Sequence, residues 1–72
     1  MTTFEIEKKG FTPFDKVKIW VKGNPDPLIE TLYTGKVQPM IHERLPHALL
    51  LFKSGRLKGI DIENITDIQL YQ

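Results

Sequence analysis

The amino-acid sequence predicts an all-β fold, a single small antiparallel β-barrel of five to six short strands with at most one short helical turn. Eight isoleucines, six threonines and three valines stand against one alanine, and β-branched side chains fit strands better than helices. Five glycines and five prolines divide the chain into short segments. So few short strands can enclose one interior only by curling, which also removes most free edges.

The first predicted strand lies close to the N-terminus. Thr3 to Lys8 alternates, with Phe4 and Ile6 on one side and Glu5 and Glu7 on the other. Alternation with a period of two residues is typical of a strand with one buried face. We therefore expect a short strand over Thr3 to Lys8.

The second strand has the clearest pattern. It follows a predicted turn from Gly10 to Phe14 and runs from Lys16 to Lys22. Strand geometry places its three apolar β-branched residues on one face, which we assign to the core: Val17, Ile19 and Val21. The opposite face carries Lys16, Lys18, Trp20 and Lys22.

The middle of the chain is interrupted by prolines. Residues 23–27 contain two prolines two residues apart and are predicted to be irregular. A third strand follows from Leu28 to Val37, with a bend near Gly35. The segment from Gln38 to Pro46 is predicted to be a loop holding one short helical turn, which Pro39 could open.

A hairpin is predicted next. One strand runs from His47 to Lys53, and Ser54-Gly55 suits a two-residue turn because glycine tolerates positive φ. The returning strand runs from Arg56 to Ile62. Its apolar residues change parity at Gly59, which predicts a β-bulge there.

The C-terminal part of the chain resembles a known type of fold. A tight corner at residues 63–65 precedes a last predicted strand, Thr66 to Tyr71. Together with the hairpin before it, the stretch from Leu49 to Leu70 resembles the second half of an SH3-like or Sm-like barrel. This resemblance implies a binding platform for peptides or nucleic acid, and Sm-like barrels also assemble into rings. The aromatic cluster of signalling SH3 domains and an Sm RNA motif are not recognisable, so the ligand stays open.

Composition excludes several classes of protein. The 72 residues have a formal net charge of +1 and are 40% hydrophobic, which fits one folded domain over residues 1–72 rather than a disordered tail. No apolar run is long enough to span a membrane. Glu5 and Glu7 stand where a signal peptide would need a basic start, and there is no cysteine. We expect a cytoplasmic protein that does not bind membranes.

No catalytic, metal or cofactor site is predicted, and we expect a protein that is not an enzyme. Ser54, the only serine, lies in a predicted turn without a partner base. His42 and His47 are five residues apart with Pro46 between them, which does not match the spacing of a metal-binding helix. Three carboxylates near the C-terminus are predicted to form a solvated acidic corner: Asp61, Glu63 and Asp67.

An apolar run predicts a protein interface. In the strand Leu49 to Phe52, Leu49 and Leu51 face one way while Leu50 and Phe52 face the other, yet a small barrel has one interior. One pair therefore needs a cover, either the N-terminal segment or another subunit. We predict a non-enzymatic module that binds a protein partner or itself, through Leu49, Leu51, Phe52 and Trp20.

The alternative is a single-stranded nucleic-acid binder. Lysines attract phosphates and an indole offers a stacking surface, and both occur on the outer face of the second strand. Arg56 and Lys58 would extend this basic face if their strand lay beside it. The complete predicted nucleic-acid surface is Lys16, Lys18, Trp20, Lys22, Arg56 and Lys58.

Overall fold

Five antiparallel strands and one short helix make up the fold, in a computed structural model that describes residues 1–72. Helix α1 spans Thr3–Lys8. The strands are β1 (Lys16–Val21), β2 (Leu28–Met40), β3 (Leu45–Lys53), β4 (Arg56–Asp61) and β5 (Ile65–Leu70). Single 3₁₀ turns at Ile41–Glu43 and Ile62–Asn64 connect β2 to β3 and β4 to β5. The predicted all-β class is confirmed, but the prediction of at most one short helical turn is wrong, because the chain has α1 and two 3₁₀ turns. Neither the α-helix nor the 3₁₀ turns are long and apolar enough to cross a membrane.

The strands form one sheet in the order β4-β3-β2-β1-β5. The long strand β2 joins its two halves, because its first part pairs with β1 (Leu28 opposite Ile19) and its second part with β3 (Val37 opposite Leu49). The sheet is not closed, and β4 and β5 are its two edges. The closed barrel that the sequence predicts is therefore not confirmed.

A bend in β2 lets one strand serve both halves of the sheet. The pairing of β2 with β3 shifts register between Leu32 and Val37, and Gly35 lies within this interval. Gly35 has φ +79°, in the left-handed region that glycine enters without steric penalty. The predicted bend near Gly35 is confirmed, although the strand continues to Met40 rather than ending at Val37.

Nine buried apolar side chains make up the core on the inner face of the sheet. They come from α1, from β1, β2, β3 and β5, and from the second 3₁₀ turn, so burial ties the whole chain together. The core residues are Ile6, Val17, Ile19, Leu32, Leu49, Leu51, Ile62, Ile65 and Ile68. The assignment of Val17 and Ile19 to the core is confirmed, while Val21 is partly buried against it.

The prediction of a strand over Thr3 to Lys8 is wrong, because this segment is α1. Thr2 and Glu5 form a capping box: the Glu5 N–H donates to Thr2 Oγ1 (3.1 Å) and the Thr2 N–H donates to Glu5 Oε1 (2.9 Å). The helix buries only Ile6 and leaves Phe4 exposed. Alternation over six residues does not distinguish a strand from a short helix that buries one side chain.

The capping box predicts a pH dependence of stability. Hydrogen bonds from the Thr2 backbone N–H, and then from the Thr2 side chain, hold the pKa of Glu5 below its ordinary value of 4.5. A carboxyl whose pKa is lower in the folded state stabilises the fold above the unfolded-state pKa, and this contribution is lost as pH falls through the folded-state pKa. We expect Glu5→Gln to lower the free energy of unfolding at neutral pH and to make no difference once Glu5 itself is protonated.

Urea denaturation of wild type and Glu5→Gln, from neutral pH down to a pH at which Glu5 is protonated, measures this difference in the free energy of unfolding. Glu63→Gln is the matched control, since Glu63 is exposed and its carboxylate accepts no hydrogen bond. A Glu5→Gln difference that stays constant down to strongly acidic pH would contradict the assignment to the capping box.

The predicted β-bulge at Gly59 is also wrong. The register between β3 and β4 is unbroken from Lys53–Arg56 to Ala48–Asp61. The change of apolar parity has a different cause: Leu57 lies on the outer face opposite Phe52, whereas Ile60 lies on the inner face opposite Leu49. The hairpin turn itself is confirmed, with Ser54 at φ 52° and its neighbour Gly55 at φ 75°.

The boundaries of the predicted loop from Gln38 to Pro46 also change. The 3₁₀ turn of this segment begins at Ile41 rather than Pro39, and both adjoining strands extend into the predicted loop. Arg44 closes the turn in the left-handed conformation, with φ 55°. One short helical turn between the two strands is therefore confirmed, in a tighter connection than predicted.

Candidate functional site

Alternation along β3 separates three of the four predicted interface residues, and the fourth, Trp20, lies on β1. Leu49 and Leu51 are 0% and 3% exposed, within the chain's own core, where α1 contributes Ile6. Their side chains are not at the surface, so the prediction that they contact a partner is corrected. Phe52 is on the opposite face and is 37% exposed. The pair that needed a cover is therefore Leu50 and Phe52. Leu50 is buried, and Phe14 of the N-terminal segment packs against Phe52 without burying it fully.

Phe52 belongs to a group of three exposed rings, which we call the aromatic cluster: Phe14, Tyr33 and Phe52. The Phe14 ring meets Tyr33 at 6.4 Å and Phe52 at 5.9 Å between centroids, both edge-to-face. Tyr33 and Phe52 stack at 6.3 Å with an interplanar angle of 29°. Such pairs contribute about 0.5–1.5 kcal/mol each beyond burial, so the rings hold one another in place. The cluster is a pre-arranged apolar surface.

The neighbouring strand continues this surface. Leu57 of β4 lies directly opposite Phe52 and is also exposed. Farther along the same face, Leu50 and Ala48 are buried outside the nine-residue core, and the Met40 side chain lies over Gly59 beside Ala48. The outer face is therefore covered at one end and open at the end that carries the aromatic cluster.

Phe14 occupies an unusual backbone conformation. It follows Pro13 in a four-residue turn closed by the Asp15 N–H donating to the Thr12 carbonyl (3.2 Å), and its φ is +66°. A residue other than glycine pays about 1–2 kcal/mol of conformational free energy in this left-handed region. The Thr12 N–H and hydroxyl both donate to the Asp15 carboxylate (2.9 Å each), which holds the turn.

Two further hydrogen bonds attach this turn to β2. The Phe14 N–H donates to the Leu32 carbonyl (2.9 Å), and the Leu32 N–H donates to the Asp15 carbonyl (2.8 Å). The turn therefore presents the Phe14 ring at 61% exposure, although the backbone there is strained. Strain of this kind persists only where the surrounding structure enforces it, and it concentrates at functional sites.

The lysines of β1 lie on a different part of the outer surface. The Lys16 and Lys18 ammonium groups are 4.7 Å and 5.6 Å from the centroid of the Tyr71 ring. Trp20 is half-buried, and its cross-strand partner on β5 is an acidic residue, Asp67. Lys22 follows the strand and is exposed. Two of the predicted basic residues, Lys16 and Lys18, therefore lie against a tyrosine that the predicted surface did not include.

The predicted extension of this basic face to β4 does not form. Two strands, β2 and β3, separate β1 from β4 in the sheet, so Arg56 and Lys58 are not beside the lysines of β1. Arg56 pairs with Lys53 and Lys58 with Leu51, which places both on the inner-face side of the edge strand. The six predicted nucleic-acid residues are divided between two separate surfaces.

The remaining polar residues have local structural roles. Asp61 accepts the Glu63 N–H (2.9 Å) at the second 3₁₀ turn, and Asp67 accepts the Ile68 N–H (2.8 Å) and the Gln69 side-chain amide (2.9 Å). No three His, Asp or Glu side chains come together as a possible metal site, and His42 and His47 are both exposed.

The concave sites are open to solvent. A cleft of about 520 Å³ between α1 and β5 is lined by three cationic groups (the N-terminal ammonium, Lys8 and Lys9) and by two carboxylates (Glu5 and Asp67). An apolar pocket of about 280 Å³ lies at the β2–β3 connection, beside the exposed Ile41.

Comparison with protein-family models, curated proteins and solved structures finds none that matches this chain. The site is therefore defined by its geometry alone. Sequence reasoning missed Phe14 and Tyr33 as site residues. An aromatic residue after proline in a predicted turn was the available signal, because turns favour small and polar residues.

Proposed function

We propose that this protein is a non-enzymatic interaction module that binds a segment of a partner protein through the aromatic cluster. The observation that carries the proposal is Phe14, a large apolar side chain kept mostly exposed by a backbone conformation that costs free energy. A turn needed only for folding would have glycine or asparagine at this position. Exposed aromatic rings held in place supply much of the binding energy at protein interfaces.

The proposal includes a fold of the SH3-like or Sm-like type, as a partly open barrel. A bent β2 that serves both halves of the sheet, the hairpin at Ser54-Gly55 and the 3₁₀ turn before β5 support this assignment. Binding on the outer surface is the use that such folds have in common. A cytoplasmic location stays a prediction.

Self-association is the less favoured form of the same proposal. Of the four interface residues predicted from sequence, Leu49 and Leu51 are buried, and Phe52 and Trp20 remain accessible in part. The three rings expose roughly 300 Å² in total, taking about 200 Å² for each aromatic side chain. A stable dimer needs about 800 Å² on each partner.

A second candidate function is single-stranded nucleic-acid binding by β1. The observation in its favour is the pair of ammonium groups over Tyr71, a ring on which a base could stack. The neighbouring Asp67 and the net charge of +1 oppose it.

Selection from a random peptide display library tests the proposal. We expect wild-type protein to enrich peptides whose affinity falls by about tenfold or more with Phe14→Asn, because the substitution removes the most exposed ring of the aromatic cluster. The free energy of unfolding should change by no more than about 1 kcal/mol. Relief of backbone strain, about 1–2 kcal/mol, offsets the loss of ring contacts.

Phe4→Asn is the matched control, since Phe4 is 72% exposed on α1 and outside the aromatic cluster. Peptides that bind wild type and Phe14→Asn equally, or no enrichment at all, would refute the proposal. Titration with oligo-dT at low salt examines the second candidate. Three phosphate contacts would give a slope near −2 of log affinity against log salt.

A further inference from the structure

We propose that the partner segment is an extended peptide with alternating apolar and acidic side chains, which adds to the free edge of β4 as a sixth strand. This inference rests on the proposed function, because it assigns the partner of the same surface. Three features of the β3–β4 hairpin carry it: an unpaired edge, an alternation of two surfaces, and uncompensated positive charge.

The edge of β4 is open. Strand β4 pairs with β3 on one side and with no strand on the other, so alternate N–H and C=O groups along Arg56–Asp61 face outward. Such an edge can accept a further strand through main-chain hydrogen bonds. Leu57 and its two neighbours, Arg56 and Lys58, are all exposed, so no other part of the chain covers them.

The two faces of this edge differ in character. On the outer face, Leu57 lies opposite Phe52, which leads directly into the aromatic cluster. On the inner face, Arg56 and Lys58 present positive charge at the rim of the sheet. Side chains of an added strand would alternate between these faces. Apolar residues would therefore contact Leu57 and Phe52, and the residues between them would contact the two cations.

The positive charge at this edge favours acidic residues at those peptide positions that face Arg56 and Lys58. Between Glu43 and Asp61 the chain has no acidic residue. The one ion pair in the structure joins Lys53 to Glu30 at 3.6 Å, which leaves Arg56 and Lys58 without a carboxylate partner. Opposite charges across neighbouring strands stabilise pairing and like charges oppose it.

The area available favours a strand over a second copy of the chain. The aromatic cluster offers less than half of what each partner in a stable dimer buries, but it suits a few side chains of one extended segment. Main-chain hydrogen bonds along β4 would supply the rest of the contact.

Fluorescence anisotropy with synthetic decapeptides tests the inference. The probe is a labelled peptide of alternating Asp and Val. The comparison peptides are one of identical composition with all Val before all Asp, and one of alternating Lys and Val. We expect the alternating acidic peptide to bind at least about tenfold more tightly than either, with affinity decreasing as salt is added.

Variants of the protein locate the contact. Arg56→Glu together with Lys58→Glu should reverse the preference, so that the Lys–Val peptide becomes the tighter ligand. Lys16→Glu together with Lys18→Glu is the matched control and should preserve the preference, because two strands separate β1 from β4. N-methylation of alternate peptide residues on the edge-facing side should abolish binding by removing the main-chain donors. Circular dichroism checks that each variant is folded.

Four outcomes would overturn the inference. They are equal binding of the alternating and block peptides, no change of preference in the β4 double variant, tight binding of the N-methylated peptide, and a light-scattering mass above 8.4 kDa that depends on β4. If displayed peptides still depend on Phe14 in any of these cases, the proposed function stands and only the partner class is wrong. If neither set of peptides binds, both are wrong.

Discussion

Replacing Leu51 with lysine is expected to unfold the protein, whereas the same replacement at the adjacent Phe52 should leave it folded. Leu51 is in the core, and Phe52 is on the outer face. Losing a buried leucine costs about 2–5 kcal/mol, and placing an ammonium group in the core adds a further penalty. A domain of this size has about 3–5 kcal/mol of stability in total, so Leu51→Lys exceeds it.

Far-UV circular dichroism and thermal denaturation distinguish the two variants. Phe52→Lys is the matched control, since it introduces the same charge one residue away on the same strand. Its sheet spectrum and cooperative transition should persist, with loss of peptide binding. A cooperative transition at the wild-type midpoint in Leu51→Lys would mean that the faces of β3 are assigned the wrong way round.

Gly35→Ala should cause the second large loss of stability, because two separate costs meet at this position. The φ of +79° disfavours any side chain, and an added Cβ would lie 2.6 Å from the Phe11 carbonyl oxygen and 2.9 Å from its carbonyl carbon. These are backbone atoms of a residue packed against the core, so they cannot move aside as the end of a side chain would. We expect the steric part alone to cost about 1–3 kcal/mol.

Comparison with Gly23→Ala isolates the steric cost, because Gly23→Ala carries only the cost of the positive φ. Gly23 has a nearly identical φ of +80°, but nothing lies within 4 Å of the added Cβ. Urea denaturation of both variants should therefore show a larger loss for Gly35→Ala, by the steric cost. Equal losses would mean that the close approach of Phe11 to β2 does not constrain the fold.

The pairing of β2 also explains why the backbone of Phe14 can be strained without unfolding the protein. The bend at Gly35 follows directly after Tyr33 and Thr34 in β2, and the turn that holds Phe14 is bonded to Leu32 in the same strand. The rings of the aromatic cluster are thus held together by backbone hydrogen bonds to β2. Tyr33 is part of β2, the turn that carries Phe14 is bonded to it, and β3, which carries Phe52, pairs with it. Strain of about 1–2 kcal/mol at Phe14 is then tolerated, because the surrounding hydrogen bonds enforce the turn.

The same dependence on distant pairing explains where sequence analysis failed. Thr2 and Glu5 have the spacing of a capping box, but the prediction rested on the alternation of apolar and acidic residues and did not use this spacing. In the hairpin, Leu57 was assumed to face the core, so the inner-face Ile60 required a bulge. In the folded chain, Leu57 of the edge strand lies on the outer face opposite Phe52, and the two apolar side chains are both partly exposed there.

The sequence by itself determined the features that neighbouring residues control. These are the alternation of β1 and β3, the Ser54-Gly55 turn, the bend at Gly35 and the all-β class, since each follows from local backbone preference and side-chain period. Only the tertiary structure decided which face of β3 is buried, that β4 is far from β1, and that Phe14, Tyr33 and Phe52 meet. Strand order and register join residues far apart in the chain, and no local pattern encodes that choice.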